Sequence, residues 1–280
     1  MNITITGASG FIGRQLLKSL AHAGHSVQAL SRQAPLAESL READVIIHLA
    51  GEPVAQRWTA EAKRRIRESR TAGTRNLVEA LATLPRRPQA LICASAIGYY
   101  GSRGDEILTE ASAPGSGFLP EVCVAWEKEA QAAEALGIRV VRVRTGVVLD
   151  AGGGALQRML PPFRTGVGGR LGSGRQWMSW IHLEDLAALF QFAVERQVRG
   201  PLNGVAPHPA SNSDFTRELA RVLRRPAVFP VPEFALRLLF GEMADVLLAS
   251  QRVAPAAAEA AGFRFRFPQL AAALEGLLHR

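Results

Sequence analysis

The chain opens with a short β-branched segment, NITIT, which runs directly into three glycines spaced three residues apart: Gly7, Gly10 and Gly13. An apolar segment with helical periodicity follows, from about Phe11 to His22. In such a strand–turn–helix, the first glycine permits a tight turn, the second lets a pyrophosphate approach, and the third allows close helix–strand packing. The free amides and the positive dipole end of the helix then face the phosphates. The opening segment therefore predicts a dinucleotide-binding turn rather than a simple loop.

The end of the second predicted strand, SVQAL, bears on the choice of dinucleotide. It is followed by Ser31 and Arg32, about 20 residues after the glycines, where an NAD site usually holds Asp or Glu for the ribose 2′-hydroxyl. A carboxylate would repel a 2′-phosphate, whereas a hydroxyl and a guanidinium both bond to it. An exposed loop arginine is the alternative in so arginine-rich a chain. The position favours NADP.

Strands and helices alternate through the first half of the chain. The predicted strands SVQAL, DVIIHLA, ALICAS and IRVVRVR are separated by helices, the longer ones near 60–84 and 122–136. This alternation predicts an α/β fold with a Rossmann-type, doubly wound parallel sheet. Between Arg32 and Asp44 there is room for only a short helix, so one edge strand is predicted to be missing.

The same pattern predicts two lobes. Residues 1–150, completed by about 180–205, are expected to form an NADP-binding Rossmann domain. Residues 151–179 and 206–280 are expected to form a small C-terminal substrate lobe.

Composition narrows the function classes. The net charge is +8, but lysine occurs only at Lys18, Lys63 and Lys128, and the arginines are scattered among acidic residues. A nucleic-acid partner is not predicted, because such binders cluster their basic residues. No apolar run reaches bilayer length, no signal-peptide pattern opens the chain, and Cys93 and Cys123 show no disulfide pattern. We therefore expect a cytoplasmic protein with a small-molecule substrate, no membrane association and no metal site.

Several segments resemble those of extended short-chain dehydrogenases/reductases, in the same order along the chain. They are the glycine motif, HLAG at 48–51, AGTRNLVEAL at 72–81, ASAIGYYG at 94–101 and WIHLEDLA at 180–187. More narrowly, the tail PVPEFALRLLFGEMADVLL, followed by SQRV and AGFRFRFP, is similar to the atypical NADP-binding "epimerase family" branch. The similarity covers essentially the whole chain. It implies an NADP(H)-dependent oxidoreductase or epimerase that acts on a small carbonyl, alcohol or sugar-like substrate.

The resemblance also implies cofactor contacts and an assembly. The contacts are Gly7, Ala8, Ser9, Gly10, Phe11, Ile12, Gly13, Ser31, Arg32, Leu49, Ala50, Gly51, Arg70 and Val148. Leu49 and Ala50 would lie beside the adenosine half, and Arg70 and Val148 near the nicotinamide. The assembly would be a homodimer through the helices near 60–84 and 122–136, although arginines make the first of these unusually basic.

The catalytic residues of the family are where this sequence departs from it. The usual tetrad is Asn, Ser, Tyr and Lys; here the Asn register falls on Arg70, the Tyr register on Cys123 and the Lys register on Glu127. The Ser register falls on Ser95 or on Ala96, depending on which tyrosine is matched to the family's Tyr-Gly. The family's lysine lowers the pKa of its tyrosine, and a glutamate has the opposite charge. The standard mechanism therefore cannot run through these positions.

Any surviving proton chemistry must then come from other side chains. The catalytic candidates are Ser95, Tyr99 and Tyr100, although both tyrosines fit equally well as walls of a pocket. Glu127 is interpreted as a buried or paired anchor beside Trp126 in preference to a general base. An NADPH-binding regulatory or scaffold protein without turnover is the alternative function.

The segment from about 175 to 185 resembles the family's substrate-side loop. Arg175 is a candidate for holding an anionic substrate, with Trp177 and Trp180 as apolar walls. The alternative is a packed hinge between the lobes. Asp185 is expected to serve the start of the helix that follows.

Overall fold

A parallel sheet of six strands organises the chain, in a computed structural model that describes residues 1–31 and 35–279. The strands are β1 (Asn2–Thr6), β2 (Ser26–Leu30), β3 (Val45–His48), β4 (Ala90–Ala96), β5 (Ile107–Leu108), β6 (Arg139–Thr145), β7 (Val147–Asp150), β8 (Trp177–Met178), β9 (Trp180–His182), β10 (Gly200–Gly204), β11 (Ala210–Ser211) and β12 (Arg252–Val253). The order across the large sheet is β2-β1-β3-β4-β6-β10, with every neighbouring pair parallel. The shorter strands pair as β5 with β12, β7 with β9 and β8 with β11.

Helices connect these strands and build the rest of the chain. They are α1 (Phe11–His22), α2 (Leu36–Leu40), α3 (Ala60–Ala82), α4 (Phe118–Gln131), α5 (Gly154–Arg164), α6 (Leu183–Glu195), α7 (Asn212–Leu223), α8 (Glu233–Phe240), α9 (Ala244–Leu248), α10 (Ala256–Ala260) and α11 (Leu270–Leu278). Helix α4 begins four residues before the prediction, and Ala132–Leu136 continue it as a 3₁₀ helix. Pro120 is compatible with this early start because proline is tolerated in the first turn of a helix.

The sheet is doubly wound, as predicted. Helices α1 and α6 cover one face with side chains such as Leu16 and Phe190, while α3 and α4 cover the other with Leu77 and Trp126. Neighbouring residues in β3 point to opposite faces, so a strand covered on both sides reads as a continuous apolar run. The carboxyl ends of all six strands lie at one edge of this sheet, which we call the carboxyl edge.

The predicted loss of an edge strand is confirmed for the described residues. Between β2 and β3 they form only the short helix α2, and β2 is the outermost strand on that side. The carboxyl end of β2 is therefore next to β1, the strand that carries the glycine turn.

A separate apolar cluster underlies the C-terminal part of the chain. It joins α5, α7 and α11 through side chains that include Leu160, Phe215 and Leu274, and it contains the fully buried Trp180. The predicted lobe limits at residues 150 and 206 stay a prediction. Among the described residues, the structure contains no helix long and apolar enough to cross a membrane.

Helices α3 and α4, through which a homodimer is predicted, pack side by side. Ion pairs join their exposed surfaces, Arg67 with Glu121 at 3.1 Å and Arg75 with Glu129. These charges are already paired within one chain, and the homodimer stays a prediction.

Candidate functional site at the carboxyl edge

The turn between β1 and α1 leaves the first amides of α1 exposed at the carboxyl edge. Gly7 has a φ of +70°, and its carbonyl accepts a 3.0 Å hydrogen bond from the Gly10 amide. Gly10 is the N-cap of α1, and no side chain of a described residue caps the helix there. A Cβ atom at Gly13 would lie 2.5 Å from the Gly7 carbonyl oxygen and 2.6 Å from Ala8 Cα, so only glycine fits. The amides at the start of α1 are thus available to an anion.

The turn after β3 lies directly against the glycine turn. A Cβ atom at Gly7 would be 2.9 Å from both Ala50 N and the Leu49 carbonyl carbon. The Leu49 amide donates to the Thr6 carbonyl at 3.1 Å, and the Ala50 amide donates to Thr6 Oγ1 at 3.3 Å. The two turns therefore form one wall at the point where open parallel sheets bind their ligands.

A buried histidine, His48, contacts the Thr6 side chain of this wall. His48 Nδ1 lies 2.6 Å from Thr6 Oγ1, and Nε2 lies 3.0 Å from Thr74 Oγ1 on α3. Both ring nitrogens therefore have a hydroxyl partner, and in the neutral ring one of them donates while the other accepts. Burial lowers the pKa of His48 to about 4, so the imidazole is neutral at neutral pH.

Of the two residues predicted to select the 2′-phosphate, Ser31 and Arg32, one is described. Ser31 is exposed and directly follows β2. Arg32 lies outside the described residues. The structure therefore places the Ser31 backbone beside β1, at the expected edge of the sheet.

Arg70 reaches from α3 to the turn after β3. Its Nη1 donates to the carbonyls of Glu52 at 3.0 Å and Ile66 at 3.1 Å, and its guanidinium carbon lies 5.0 Å from the centre of the Trp126 ring. A Cβ atom at Gly51 would be 3.3 Å from that carbon. Burial lowers the pKa of Arg70, but arginine remains charged in proteins. A cation thus stands between Gly51 and Trp126.

Three further residues that are predicted to contact the cofactor pack in or against the core of the sheet. Ala8 is buried in the sheet core, and Ile12 and Val148 pack against that core. The Ala8 side chain faces the core, so a contact of this residue with the cofactor would be made by its backbone, and that contact stays a prediction. The Phe11 ring packs against Gly153 and Gly154, and a Cβ atom at Gly154 would lie 2.9 Å from it.

The residues at the four tetrad positions, Arg70, Ser95, Cys123 and Glu127, lie close together, but all of them except Ser95 differ chemically from the residues of the family's tetrad. Cys123 is buried, and burial raises the pKa of its thiol to about 12, assisted by Glu127 and opposed by Arg70. The Ser95 hydroxyl, also buried, donates to Glu127 Oε1 at 2.7 Å. The protonated Cys123 thiol therefore lies where the family places its tyrosine. The Ser95 hydroxyl, which already donates to Glu127, lies where the family places its serine.

Glu127 is buried, as the anchor interpretation predicted, and its partner is Arg144 on β6. Arg144 Nε donates to Oε1 at 2.8 Å, and Nη2 donates to Oε2 at 2.9 Å. Burial alone would lower the pKa of Arg144, but the Glu127 carboxylate raises it above its ordinary value. The position of the family's lysine is thus held by a carboxylate whose charge is neutralised inside the protein.

The two tyrosines differ sharply in their surroundings. Tyr100 is fully buried; its hydroxyl donates to Asn203 Oδ1 at 2.7 Å and accepts from Arg144 Nη1 at 2.9 Å. Burial raises the pKa of Tyr100 to about 12, against the opposing effect of Arg144. Tyr99 is half-buried, and the Arg144 guanidinium carbon lies 3.5 Å from its ring centre. The Tyr99 hydroxyl makes no hydrogen bond to any residue in the described part of the chain.

Arg144 and Asn203 are site residues that the sequence interpretation missed. A signal was present, because RVVRVRT places Arg142 and Arg144 two residues apart on a strand that has a neighbour on either side in the sheet. A guanidinium on such a strand needs a buried anion, and Glu127 on the covering helix supplies it. His48 was likewise read as part of an apolar run.

The predicted substrate-side loop is divided between solvent and core. Arg175 is exposed, while Trp180 is fully buried in the C-terminal cluster. Asp185 lies in the first turn of α6, as expected, and its two oxygens also accept from the Arg266 and Phe267 amides at 2.9 and 2.8 Å, so it anchors the C-terminal segment as well. The helix start is capped by His182 Nδ1, which accepts from the Glu184 amide at 3.1 Å.

Comparisons with known proteins agree with this geometry. Residues 3–205 match the NAD dependent epimerase/dehydratase family, and residues 231–277 match a domain of unknown function, DUF1731. Epimerase family protein YfhF of Bacillus subtilis is 40% identical over 298 residues, which cover 99% of this chain and 98% of the relative. Epimerase family protein SDR39U1 of Mus musculus is 39% identical over 293 residues, which cover 99% of this chain and 100% of the relative.

Among solved structures, the crystal structure of human epimerase family protein SDR39U1 (isoform2) with NADPH is similar over 100% of both chains. Its TM-score is 0.93 and its sequence identity is 34%. These matches confirm the resemblance read from the sequence, including the separate C-terminal signature. The chain belongs to the NAD dependent epimerase/dehydratase family.

Proposed function

We propose that the chain binds NADPH at the carboxyl edge of its sheet. The observation that carries this proposal is the uncapped N-terminus of α1 behind the Gly7–Gly13 turn, which only glycine can form. The human relative crystallised with NADPH supports the choice of cofactor. Ser31 and Arg32 in place of an acidic residue support it independently, because they suit a 2′-phosphate.

Different residues of the chain would contact different parts of the cofactor. The amides of Phe11 and Ile12, at the start of α1, would hold the pyrophosphate, and the turn Leu49–Gly51 would line the adenosine side. Arg70, fixed against Trp126, and Val148 would border the nicotinamide side. The two turns follow the carboxyl ends of β1 and β3, Arg70 lies on α3, which comes after β3, and Val148 lies on β7, which comes after β6. Ligands of open parallel sheets bind beyond these carboxyl ends.

The proposed activity is that of an NADP(H)-dependent oxidoreductase or epimerase with a small carbonyl, alcohol or sugar-like substrate. The bound cofactor would supply or accept the hydride. Among the three candidate side chains, Tyr99 is the proposed proton carrier, since it alone is partly exposed and its hydroxyl is uncommitted among the described residues. The hydroxyls of Ser95 and Tyr100 already donate to buried acceptors.

The proposal is tested by measuring NADPH binding and turnover on the same protein. Titration calorimetry gives the affinity, and the loss of NADPH absorbance with a panel of carbonyls and nucleotide sugars gives the turnover. Tyr99→Phe should abolish turnover while leaving NADPH affinity and melting temperature unchanged, since it removes only a hydroxyl without a described partner. Unchanged turnover in this variant would overturn the assignment of Tyr99.

A second candidate function, an NADPH-binding regulator or scaffold without turnover, is favoured by one observation. The tetrad positions hold a thiol with a raised pKa and a carboxylate paired with Arg144, so the family's own proton relay has no equivalent there. Tight NADPH binding without turnover across the whole panel would favour this candidate over the enzyme.

We also propose a cytosolic location and a homodimer through α3 and α4. The free, buried thiols of Cys93 and Cys123 support a reducing compartment. Fractionation of the source cells would test the location. Light scattering would test the assembly, and a monomeric mass at micromolar concentration would contradict it.

A further inference from the structure

A second cavity lies away from the carboxyl-edge site, in the C-terminal part of the chain. It is open to solvent on one side and is lined by α7, the segment 227–230 and Arg170, and its volume is about 270 Å³. At roughly 30 Å³ per water molecule, this is room for about nine waters. The cavity falls just below the usual size range of ligand pockets. It is too small for a dinucleotide and suits a small organic molecule.

Two hydroxyl groups line one wall without partners. Ser213 and Thr216 are three residues apart on α7 and therefore share a face of the helix. Thr216 is only 5% exposed, yet neither its hydroxyl nor that of Ser213 makes a hydrogen bond to any residue between 1 and 31 or 35 and 279. Neither hydroxyl oxygen is sealed in the interior, so both are open to the cavity. A ligand oxygen there can form a hydrogen bond with each of them.

Two guanidinium groups line the same cavity. Arg170 donates to the Ser173 carbonyl, and Arg217 pairs with Asp214 at 2.5 Å. A guanidinium has five N–H donors, so both retain donors for a ligand. With two guanidinium groups beside one carboxylate, the cavity keeps a positive charge and favours an anion.

The remaining wall is apolar. Val228 and Pro230 face the polar wall from the segment after α7, and Val228 is 70% exposed. A ligand that fits both walls has a compact oxyanion at one end and a small apolar body at the other. A phosphate matches two guanidinium and two hydroxyl groups better than a carboxylate does, because it offers three oxygens and up to two charges.

We propose that this cavity binds a small phosphate monoester, with its phosphate held by Arg170, Ser213, Thr216 and Arg217 and its apolar group against Val228 and Pro230. The site is independent of NADPH, since its residues are separate from those assigned to the cofactor. Its test therefore does not depend on the proposed oxidoreductase activity.

The test uses phenyl phosphate as the probe, in titration calorimetry at constant ionic strength with the full chain. We expect one binding site in the wild type, with affinity reduced about tenfold or more in Arg170→Gln and in Thr216→Val, because each loses a contact to a charged oxygen. Thr216→Val preserves the side-chain volume, and Ser213→Ala gives a second hydroxyl deletion at a less buried position. Arg164→Gln is the matched control, because Arg164 is an exposed arginine at the end of α5 that does not line the cavity.

The binding measurements distinguish a specific site in the cavity from its absence. Weakened binding in the cavity variants, with the control and the NADPH affinity unchanged, supports the site. No binding of phenyl phosphate to the wild type, or equal binding to all variants, overturns it. Benzoate binding as tightly as phenyl phosphate overturns the assignment to phosphate, and inorganic phosphate binding as tightly overturns the role of the apolar wall.

Discussion

Arg144 donates two hydrogen bonds to the Glu127 carboxylate, of 2.8 and 2.9 Å, and both side chains are at most 5% exposed. The pair links β6, which lies between β4 and β10 in the sheet, to α4, the helix that carries the tetrad's Tyr and Lys positions in related enzymes. The same guanidinium also contacts the rings of Tyr99 and Tyr100. A structural ion pair has thus replaced the phenol–ammonium pair as the feature that organises this region.

Replacing Glu127 should therefore destabilise the fold. Glu127→Gln keeps the shape but leaves the Arg144 charge buried without compensation, which typically costs about 3–5 kcal/mol in the free energy of unfolding. NADPH affinity of the folded protein should be nearly unchanged, since Glu127 is not assigned to the cofactor. Urea denaturation and calorimetry measure the two quantities.

A surface glutamate provides the control for this variant. Glu61→Gln removes an exposed partner of Arg64 and should change the free energy of unfolding by less than about 1 kcal/mol. If Glu127→Gln were as harmless as Glu61→Gln, the anchor role would be wrong.

Tyr100 should behave as part of the same network. Tyr100→Phe leaves Asn203 Oδ1 and one Arg144 donor unpaired in the interior, a loss of about 1–3 kcal/mol. Tyr99→Phe, which breaks no described hydrogen bond, should stay within about 0.5 kcal/mol of the wild type. Equal melting temperatures for the two variants would contradict the division of roles.

Local sequence patterns were sufficient to predict the sheet and the glycine turn. The apolar runs of β3 and β4, and the spacing of Gly7, Gly10 and Gly13, express requirements that each segment satisfies largely by itself. The missing edge strand was also predictable, because chain length between β2 and β3 sets an upper limit on what fits there.

The interior charge network was only half predictable, since it depends on pairs distant in sequence. The opposite charge of Glu127 indicated an altered site, but its partner Arg144 is on another element, and Asn203 follows much later in the chain. The contact of Asp185 with the C-terminal segment was missed for the same reason, because the two amides that it binds are distant in sequence. No local pattern specifies which distant group will arrive beside a given side chain.

Stability should depend on pH through His48. The unfolded chain protonates this histidine below about pH 6.5, while the folded chain does so only near pH 4. Between these values the unfolded state binds the extra proton, so the free energy of unfolding should fall as the pH drops, by about 2 kcal/mol from pH 7 to pH 5. His48→Gln cannot titrate in this range, and its pH dependence should be shallower by that amount. Parallel curves for the two proteins would refute the prediction.

Two glycine substitutions should have opposite effects. Gly13→Ala places a methyl group 2.5 Å from the Gly7 carbonyl oxygen, which should cost at least about 1–3 kcal/mol and weaken NADPH binding. Gly73 lies inside α3 with open space around its Cβ position, so Gly73→Ala should stabilise the chain by about 0.5–1 kcal/mol. Thermal denaturation of both variants checks the signs, and a destabilising Gly73→Ala would show that this face of α3 is occupied, for example in a dimer.

The preference for NADPH over NADH should depend on Arg32. Arg32→Ala removes a charge-assisted contact to the 2′-phosphate, which is worth about 1.5–3 kcal/mol, or roughly one to two decades in affinity. NADH lacks that phosphate, so its affinity should change little, and the variant should bind the two cofactors more equally. Arg41→Ala, at an exposed arginine just after α2, is the control and should leave both affinities unchanged. The measurement is titration calorimetry of each protein with both cofactors, and a wild type that binds NADH as tightly as NADPH would rule out this account of cofactor choice.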